Sequence, residues 1–399
     1  NIPFDISEVN VFGTHIGDWI LNFEQNASAT PNIYWSNNTG TANTVASLLF
    51  DEIKTLTITS DGSDNVAISA LTVDKDDTTA ISLTNTDDGD LIISAGADIS
   101  SGSSLTAITL ISTEGGDIAL GSSTGNFGIT DARKLSTIVL NASETGNIDI
   151  GNLGSLSAIE DLQNLSIVSS GAVVSVGAVS SQDVGTISVS IASSGVVTLG
   201  ALNFQNAGSM FTATGAGTLS PLVFSNESYQ IIDLSDMVTT TSVDFSNADE
   251  PVTIVGGSSN DTFTSGKGAD VFSGNAGADV FVVGNGKAGI TLNSADTIND
   301  FTSGQDKLKL GLAGDSTVDS GNFVKSGSAS LNFDAAATAA NVDLANLNGT
   351  SSASELYSFQ YDSNSGYLFV DTDSDGLAED VIILSGIEST GIASTDIIA

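Results

Sequence analysis

Short runs in which Val, Ile or Leu alternates with Ser, Thr or Asp recur between residues 53 and 220, and they come in pairs. Leu56 and Ile58 are followed by Val66 and Ile68, and Ile81 and Leu83 by Leu91 and Ile93. Ile108 and Leu110 lead to Ile118 and Leu120, and Ile138 and Leu140 to Ile148 and Ile150. Leu165 and Ile167 precede Val174 and Val176, and Ile187 and Val189 precede Val197 and Leu199. A period of two marks a β-strand with one face in and one face out. The first strands of successive pairs start at 56, 81, 108, 138, 165 and 187, a repeat of 22–30 residues. That is the length of one coil of a parallel β-helix, whose coils bury their aliphatic faces only by stacking on one another. The alternative is an antiparallel sandwich of immunoglobulin type. The likeness between units and the scarcity of Asn-Gly and Asp-Gly hairpin turns favour the β-helix.

Around this region the pattern changes. Residues 1–52 hold both Trp (Trp19, Trp35) and the only His (His15), and are expected to form a cap over the open end of the solenoid. Residues 41–53 are expected to be a short helix, with Leu48, Leu49 and Ile53 on one side. His15 has no second His and no nucleophile arranged beside it, so it reads as structural. Strand-like runs continue through 221–255 with no linker, which extends the solenoid to residue 255. After residue 311 a helix is expected near 335–347. A hairpin follows, from Leu356 to Tyr361 and from Tyr367 to Val370.

The strongest local signal lies at 256–282. Gly-Gly-Ser-Ser-Asn-Asp-Thr-Phe-Thr (256–264), Ser-Gly-Lys-Gly-Ala-Asp-Val-Phe-Ser (265–273) and Gly-Asn-Ala-Gly-Ala-Asp-Val-Phe-Val (274–282) are three copies of one nine-residue unit. Asp falls at 261, 270 and 279, and Phe two residues later. The small residues allow a tight turn that points backbone carbonyls inward. The Asp adds a hard anionic oxygen suited to Ca²⁺. The Phe sits on a short strand and buries its ring between turns. A flexible linker has no reason to repeat an aromatic residue in phase. On this reading Gly257, Ser259 and Asp261, Gly266, Gly268 and Asp270, and Asn275, Gly277 and Asp279 surround the ions. The Asp residues of neighbouring turns are expected in line, about 4.8 Å apart.

The run Asp-Thr-Ile-Asn-Asp-Phe-Thr-Ser-Gly-Gln-Asp-Lys-Leu-Lys-Leu (296–310) resembles the segment that closes the β-roll of RTX proteins exported by type I secretion. With the repeats before it, this makes residues 256–310 resemble an RTX β-roll, and the resemblance adds Asp296, Asp300 and Asp306 to the metal set. The first repeat departs from the family pattern at Ser258 and Ser259, and the second begins with Ser265. The fold expected is therefore all-β: a parallel β-helix continuing into a calcium-binding β-roll, with 311–399 as a C-terminal region.

A second calcium motif is Asp-Thr-Asp-Ser-Asp-Gly (371–376), three carboxylates on alternate residues before a sharp bend. It resembles the first half of an EF-hand loop. Ile382 stands where that loop carries its bidentate Glu, which leaves Glu379 or Asp380 to substitute. The candidate ligands are Asp371, Asp373, Asp375, Leu377 and Asp380. The chain ends Ser-Thr-Asp-Ile-Ile-Ala (394–399), which resembles an uncleaved type I secretion signal.

Charge narrows the function. There are 48 Asp and Glu against 9 Lys and Arg, a net charge of −39, and no Cys. Nucleic acid is excluded as a partner, because its phosphates need Lys and Arg. Disulfides and thiolate metal sites are excluded as well, so metal has to supply the cross-links. No apolar run reaches the ~20 residues that span a bilayer. The start, Asn-Ile-Pro-Phe, has no signal-peptide character, and the lack of an initiator Met points to a processed or truncated chain.

With this charge and no catalytic cluster, the whole resembles RTX-type surface-layer proteins of Gram-negative bacteria. That resemblance implies an extracellular protein whose partner is itself, assembled through calcium into a lattice. Calcium would also bridge it to lipopolysaccharide or surface polysaccharide. The acidic turns 61–64, 74–77 and 87–90 would then form stripes for divalent ions to bridge. Two alternatives stand beside it: the C-terminal part of a calcium-dependent RTX adhesin, and a polysaccharide-modifying β-helix enzyme on an RTX module. The second lacks machinery: residues 53–255 carry only Lys54, Lys75, Arg133 and Lys134 as basic groups, with no His. The absence of His-Glu-x-x-His excludes a metalloprotease within this chain.

Overall fold

In the computed structural model, residues 54–399 are described apart from 70, 75–77, 94–103, 121–125, 128–133, 154–160, 182–184, 193, 205–207, 225–228, 318–320 and 388–390. Before residue 54 the described segments are 8–12, 16–17, 22–23, 32–36, 43–45 and 48–51. His15 and Trp19 lie outside them. The chain divides into two compact units, Asn1–Leu222 and Val223–Ala399. The stretch 223–255, read from sequence as solenoid, therefore belongs to the same unit as the roll.

The first unit is a parallel β-solenoid whose coils match the periodicity residue for residue. Leu56 pairs with Ile81, Ile81 with Ile108, Ile108 with Ile138, Ile138 with Leu165, Leu165 with Ile187 and Ile187 with Phe211. The second strands stack in the same way: Val66, Leu91, Ile118, Ile148, Val174, Val197 and Leu219. A third face carries Phe127, Leu153, Val179 and Leu202. Inward aliphatics along these columns are fully buried, as at Ile58, Leu91, Leu140, Ile167 and Val197. Small polar residues hold the corners: Ser112 Oγ donates to the Gly116 carbonyl (2.5 Å) and Ser169 Oγ to that of Ala172 (2.6 Å). Parallel pairing throughout rules out the antiparallel sandwich.

Two expectations for the N-terminal region are corrected. Asn43–Val45 and Leu48–Asp51 are strands, not a helix. Leu48 is buried and pairs with Leu71, Phe50 with Val73 and Thr44 with Ala67. The described strands before residue 53 are thus further coils of the same solenoid, where the sequence suggested a separate cap. A Leu or Ile cluster alone does not separate helix from strand; stacking on a preformed coil decides it.

The second unit is built on two short parallel sheets facing each other. One carries Thr253–Val255, Val271–Ser273 and Asp296–Ile298; the other Ser242–Asp244, Thr262–Thr264, Val280–Val282, Lys307–Lys309 and Ile397–Ile398. Between them Phe263, Phe272 and Phe281 pack with ring centroids 5.9–6.3 Å apart. Strands from 223–255 pair directly with roll strands, Val243 with Phe263 and Ile254 with Phe272, so they are coils of the roll's own unit.

A mixed sheet closes this unit. Asp380–Ser385 lies parallel to Asp296–Ile298 and antiparallel to Ser365–Asp371, which is antiparallel to Leu356–Tyr361. The helix Phe333–Asn348 covers the sheet, capped by Asn332, whose side chain accepts from Ala335 N (3.0 Å). Its Ala336, Ala340 and Leu344, one turn apart, pack on Phe369, Val381 and Ile383.

Candidate metal centre

Nine residues make half a coil of this roll, so successive units alternate between its two edges. Asp261 and Asp279, 18 residues apart, stack on one edge. Asp270 stacks with Asp296 on the other. The expected single line of Asp261, Asp270 and Asp279 is therefore corrected: there are two columns, because the strand after each Asp belongs to alternate sheets.

Each column is a hydrogen-bonded ladder. On the first edge Thr241 N donates to Asp261 Oδ1 (2.7 Å), Asp261 N to Asp279 Oδ1 (2.8 Å) and Asp279 N to Asp306 Oδ1 (3.0 Å). On the second, Val252 N donates to Asp270 Oδ1 (3.0 Å) and Asp270 N to Asp296 Oδ1 (2.9 Å). The second oxygen usually reaches back four residues: Gly257 N donates to Asp261 Oδ2 (2.8 Å), Gly266 N to Asp270 Oδ2 (3.1 Å) and Thr302 N to Asp306 Oδ2 (2.7 Å). The turn glycines are needed for this closeness. Gly277 has φ +137°, and a Cβ there would collide with the Ser259 carbonyl of the coil below. Ser259 itself donates from Oγ to the Val238 carbonyl (2.8 Å), and Gly268 also has positive φ.

Asn275 breaks the reach-back pattern. Its N–H and that of Gly274 donate to Asp300 (2.7 and 2.9 Å), so Asp279 Oδ2 is left buried with no partner. Asp296 Oδ2 and Asp380 Oδ1 are buried and unpartnered in the same sense. Burial, partly offset by backbone donors, pushes Asp270 up to about 6. Burial and the charges of Asp306, Asp261 and Asp300 do the same for Asp279. Burial together with the charges of Asp270 and Asp380 pushes Asp296 to about 8. Stacked, buried carboxylates with spare oxygens, of which Asp270 alone among these three feels an ammonium (Lys287), are a donor set for a hard divalent cation.

Residues 253–287 match the family model of the RTX calcium-binding nonapeptide repeat (4 copies). This is an RTX calcium-binding β-roll. It binds calcium, and the buried carboxylates above are consistent with that chemistry. RTX repeats are typical of extracellular proteins exported by type I secretion. The search of curated proteins finds no match to the chain.

Outside the RTX repeats, the Asp-rich loop also gathers its carboxylates. Ligand atoms of Asp371, Asp373, Asp375 and Glu379 lie within 4.8 Å of one another. The loop is shaped by its own side chains: Asp371 Oδ2 accepts from Gly376 N (2.8 Å), Asp375 Oδ1 from Leu377 N (2.9 Å) and Glu379 Oε2 from Thr372 N (2.7 Å). Ser374 and Gly376 take positive φ to make the bend. Asp380 is a correction. It leaves the loop cluster and accepts from Gly286 N through Oδ2 (2.6 Å), because it starts the strand beside Asp296 and consecutive strand residues face opposite sides. Glu379 takes its place. The Leu377 side chain is exposed.

Sequence reading missed Thr241 and Ser265 as residues of these sites, and offered Glu379 only as the alternative to Asp380. Thr241 occupies the Asp column one coil earlier, 20 residues before Asp261 where Asp279 follows it by 18, so the nine-residue phase does not reach it. Ser265 looked like a mere departure from Gly.

The final residues also fold onto the roll. Ile397 pairs with Leu308, and the buried Asp396 accepts from Ser303 Oγ (2.5 Å), Gly304 N (3.0 Å) and Lys307 Nζ (3.1 Å). Burial raises the Asp396 pKa, but these bonds outweigh it and hold the carboxyl below its ordinary value.

Proposed function

We propose that the chain is a structural, non-enzymatic protein of the cell surface that assembles with copies of itself, through calcium, into a surface layer after type I export. Within that reading the calcium ligands of the roll come from Asp261, Asp270, Asp279, Asp296, Asp300 and Asp306 and the turn carbonyls around them. The Asp-rich loop takes a further ion on Asp371, Asp373, Asp375 and Glu379. Lipopolysaccharide or surface polysaccharide, bridged by calcium, is the anchoring partner. No helix among the described residues is long and apolar enough to cross a membrane.

The observation that carries the reading is an acidic stripe along the solenoid. Gly89 N donates to the Gly62 carbonyl, Gly116 N to that of Asp87 and Thr145 N to that of Glu114, each at 3.0 Å. The turns therefore stack in phase, and Asp88, Glu114 and Glu144 stand exposed on successive coils, about 4.8 Å apart. In a chain of net charge −39, such stripes keep copies apart in sodium. A divalent ion that takes carboxylates from two copies reverses the sign. Asp61 joins the stripe at its start, where Tyr34 OH donates to it. Of the expected acidic turns, 75–77 lies outside the described residues.

Light scattering and electron microscopy of the full chain, in calcium and in sodium of equal ionic strength, test this. Sheets in calcium alone support the layer. Asp88→Asn, Glu114→Gln and Glu144→Gln combined should raise the calcium needed for assembly several-fold. Monomers at calcium concentrations that saturate the roll would refute self-assembly and favour the adhesin reading.

A further inference from the structure

The Asp270–Asp296 column does not end at Asp296. The next strand on that sheet is Asp380–Ser385, parallel to Asp296–Ile298 with Asp296 opposite Ile382. Asp380 lies two residues before Ile382 and so on the same side of the sheet as Asp296. Both carboxylates are buried, at 0 and 3 % exposure. Each is pinned through one oxygen: Asp296 Oδ1 accepts from Asp270 N (2.9 Å) and Asp380 Oδ2 from Gly286 N (2.6 Å). The other oxygen of each has no partner.

A third atom makes the arrangement more than an acidic pair. Ser265 Oγ, 1 % exposed, lies within hydrogen-bond reach of the Asp296 carboxyl but makes no bond of normal geometry. Ser265 lies close enough to Asp296 to lower its pKa, against the larger opposing effects of burial and of the Asp270 and Asp380 charges. Lys287 Nζ donates to the Ser246 carbonyl (2.9 Å), and its charge acts on Asp270 rather than on Asp296 or Asp380. Leaving two anionic oxygens and a hydroxyl buried together without a counter-charge costs several kcal/mol. Hard oxygens of this kind suit calcium, which the roll already binds.

We propose a calcium site at the junction of the roll with the C-terminal sheet, held by Asp296 Oδ2, Asp380 Oδ1 and Ser265 Oγ. It is distinct from the Asp-rich loop, to which the sequence pattern assigned Asp380. Its ion ties the last coil of the roll to a strand contributed from far along the chain. The C-terminal sheet then orders only when calcium arrives. The inference rests on calcium binding by the roll and is independent of the surface-layer reading.

Native mass spectrometry of the full chain at saturating calcium tests it, with hydrogen exchange across Asp380–Ser385 as a second readout. Asp380→Asn should bind one calcium fewer than the parent, and its Asp380–Ser385 amides should exchange at least tenfold faster. Asp373→Asn should lose the loop ion separately, so the double variant should lose two. Should Asp380→Asn fail to fold, Ser265→Ala serves instead, with one site weakened several-fold in a calcium titration. Unchanged stoichiometry in Asp380→Asn, a double variant losing only one ion, or an unchanged Ser265→Ala titration would each overturn the proposal and point to a proton shared by the two carboxylates.

Discussion

Withdrawing calcium at neutral or alkaline pH should unfold the roll, and acid should partly restore it. The Asp270 carboxyl is raised by burial from 3.8 to about 6, so holding it charged in the calcium-free roll costs about 3 kcal/mol at pH 7 and above. Asp279 behaves alike, and Asp296 extends the effect to about pH 8. Folding raises these pKa values. Their contribution to stability is therefore fully present below about pH 3.8 and is lost as pH rises through about 6 to 8. A few such charges together rival the ~5–15 kcal/mol that stabilises a whole domain. Calcium removes the penalty: one site with Kd near 0.1 mM in about 10 mM calcium adds roughly 2.7 kcal/mol, and several sites add in proportion. Such a Kd lies far above cytosolic calcium, so under the proposed export the roll would stay open inside the cell and fold outside.

The assay follows from where the aromatic residues lie. Tyr357, Tyr361 and Tyr367 are buried in the second unit, while both Trp belong to the first. Tyr34 is the one Tyr of the first unit, so near-ultraviolet circular dichroism from Tyr follows mainly the C-terminal unit, and hydrogen exchange separates the two. With chelator at pH 8 the Tyr signal should collapse while the solenoid amides stay protected. At pH 5 with the same chelator much of the signal should return. An unchanged Tyr signal at pH 8, or a calcium-free unit that loses structure between pH 8 and 5, would refute the reasoning.

Two further outcomes are expected. Phe281 is fully buried against Phe263, Phe272 and Phe301 with centroids 5.9–6.4 Å away, so Phe281→Ala should destabilise the calcium-loaded second unit by about 3–5 kcal/mol, read from urea midpoints. Asp396→Ala removes the acceptor of Ser303, Gly304 and Lys307 and should cost about 1.5–3 kcal/mol. Because folding lowers the Asp396 pKa, its stabilisation is present above the ordinary carboxylate value and should fade as the parent is taken below about pH 4; a difference between parent and variant that persists at pH 2 would contradict this.

Strand identity, the coil period and the composition of the calcium repeats were legible from the amino-acid sequence, because each is a local property. Alternation alone decides which side chains of Leu56–Ile58 or Ile138–Leu140 face inward, and the stacked columns follow those same residues. The nine-residue phase of Asp and Phe likewise fixes which half of each unit turns and which half is strand. Tertiary structure decided what depends on how coils close. Half a coil per unit sends Asp270 to the edge opposite Asp261 and Asp279, a fact about three-dimensional winding that spacing does not contain. Residues 41–53 hold too few apolar positions to separate two periods, and only stacking on the next coil makes them strands. Glu379 and Asp380 are chemically alike and adjacent. The pairing of Asp380–Ser385 with Asp296–Ile298 assigns one to the loop and the other to the roll, since a step of one residue along a strand changes the face.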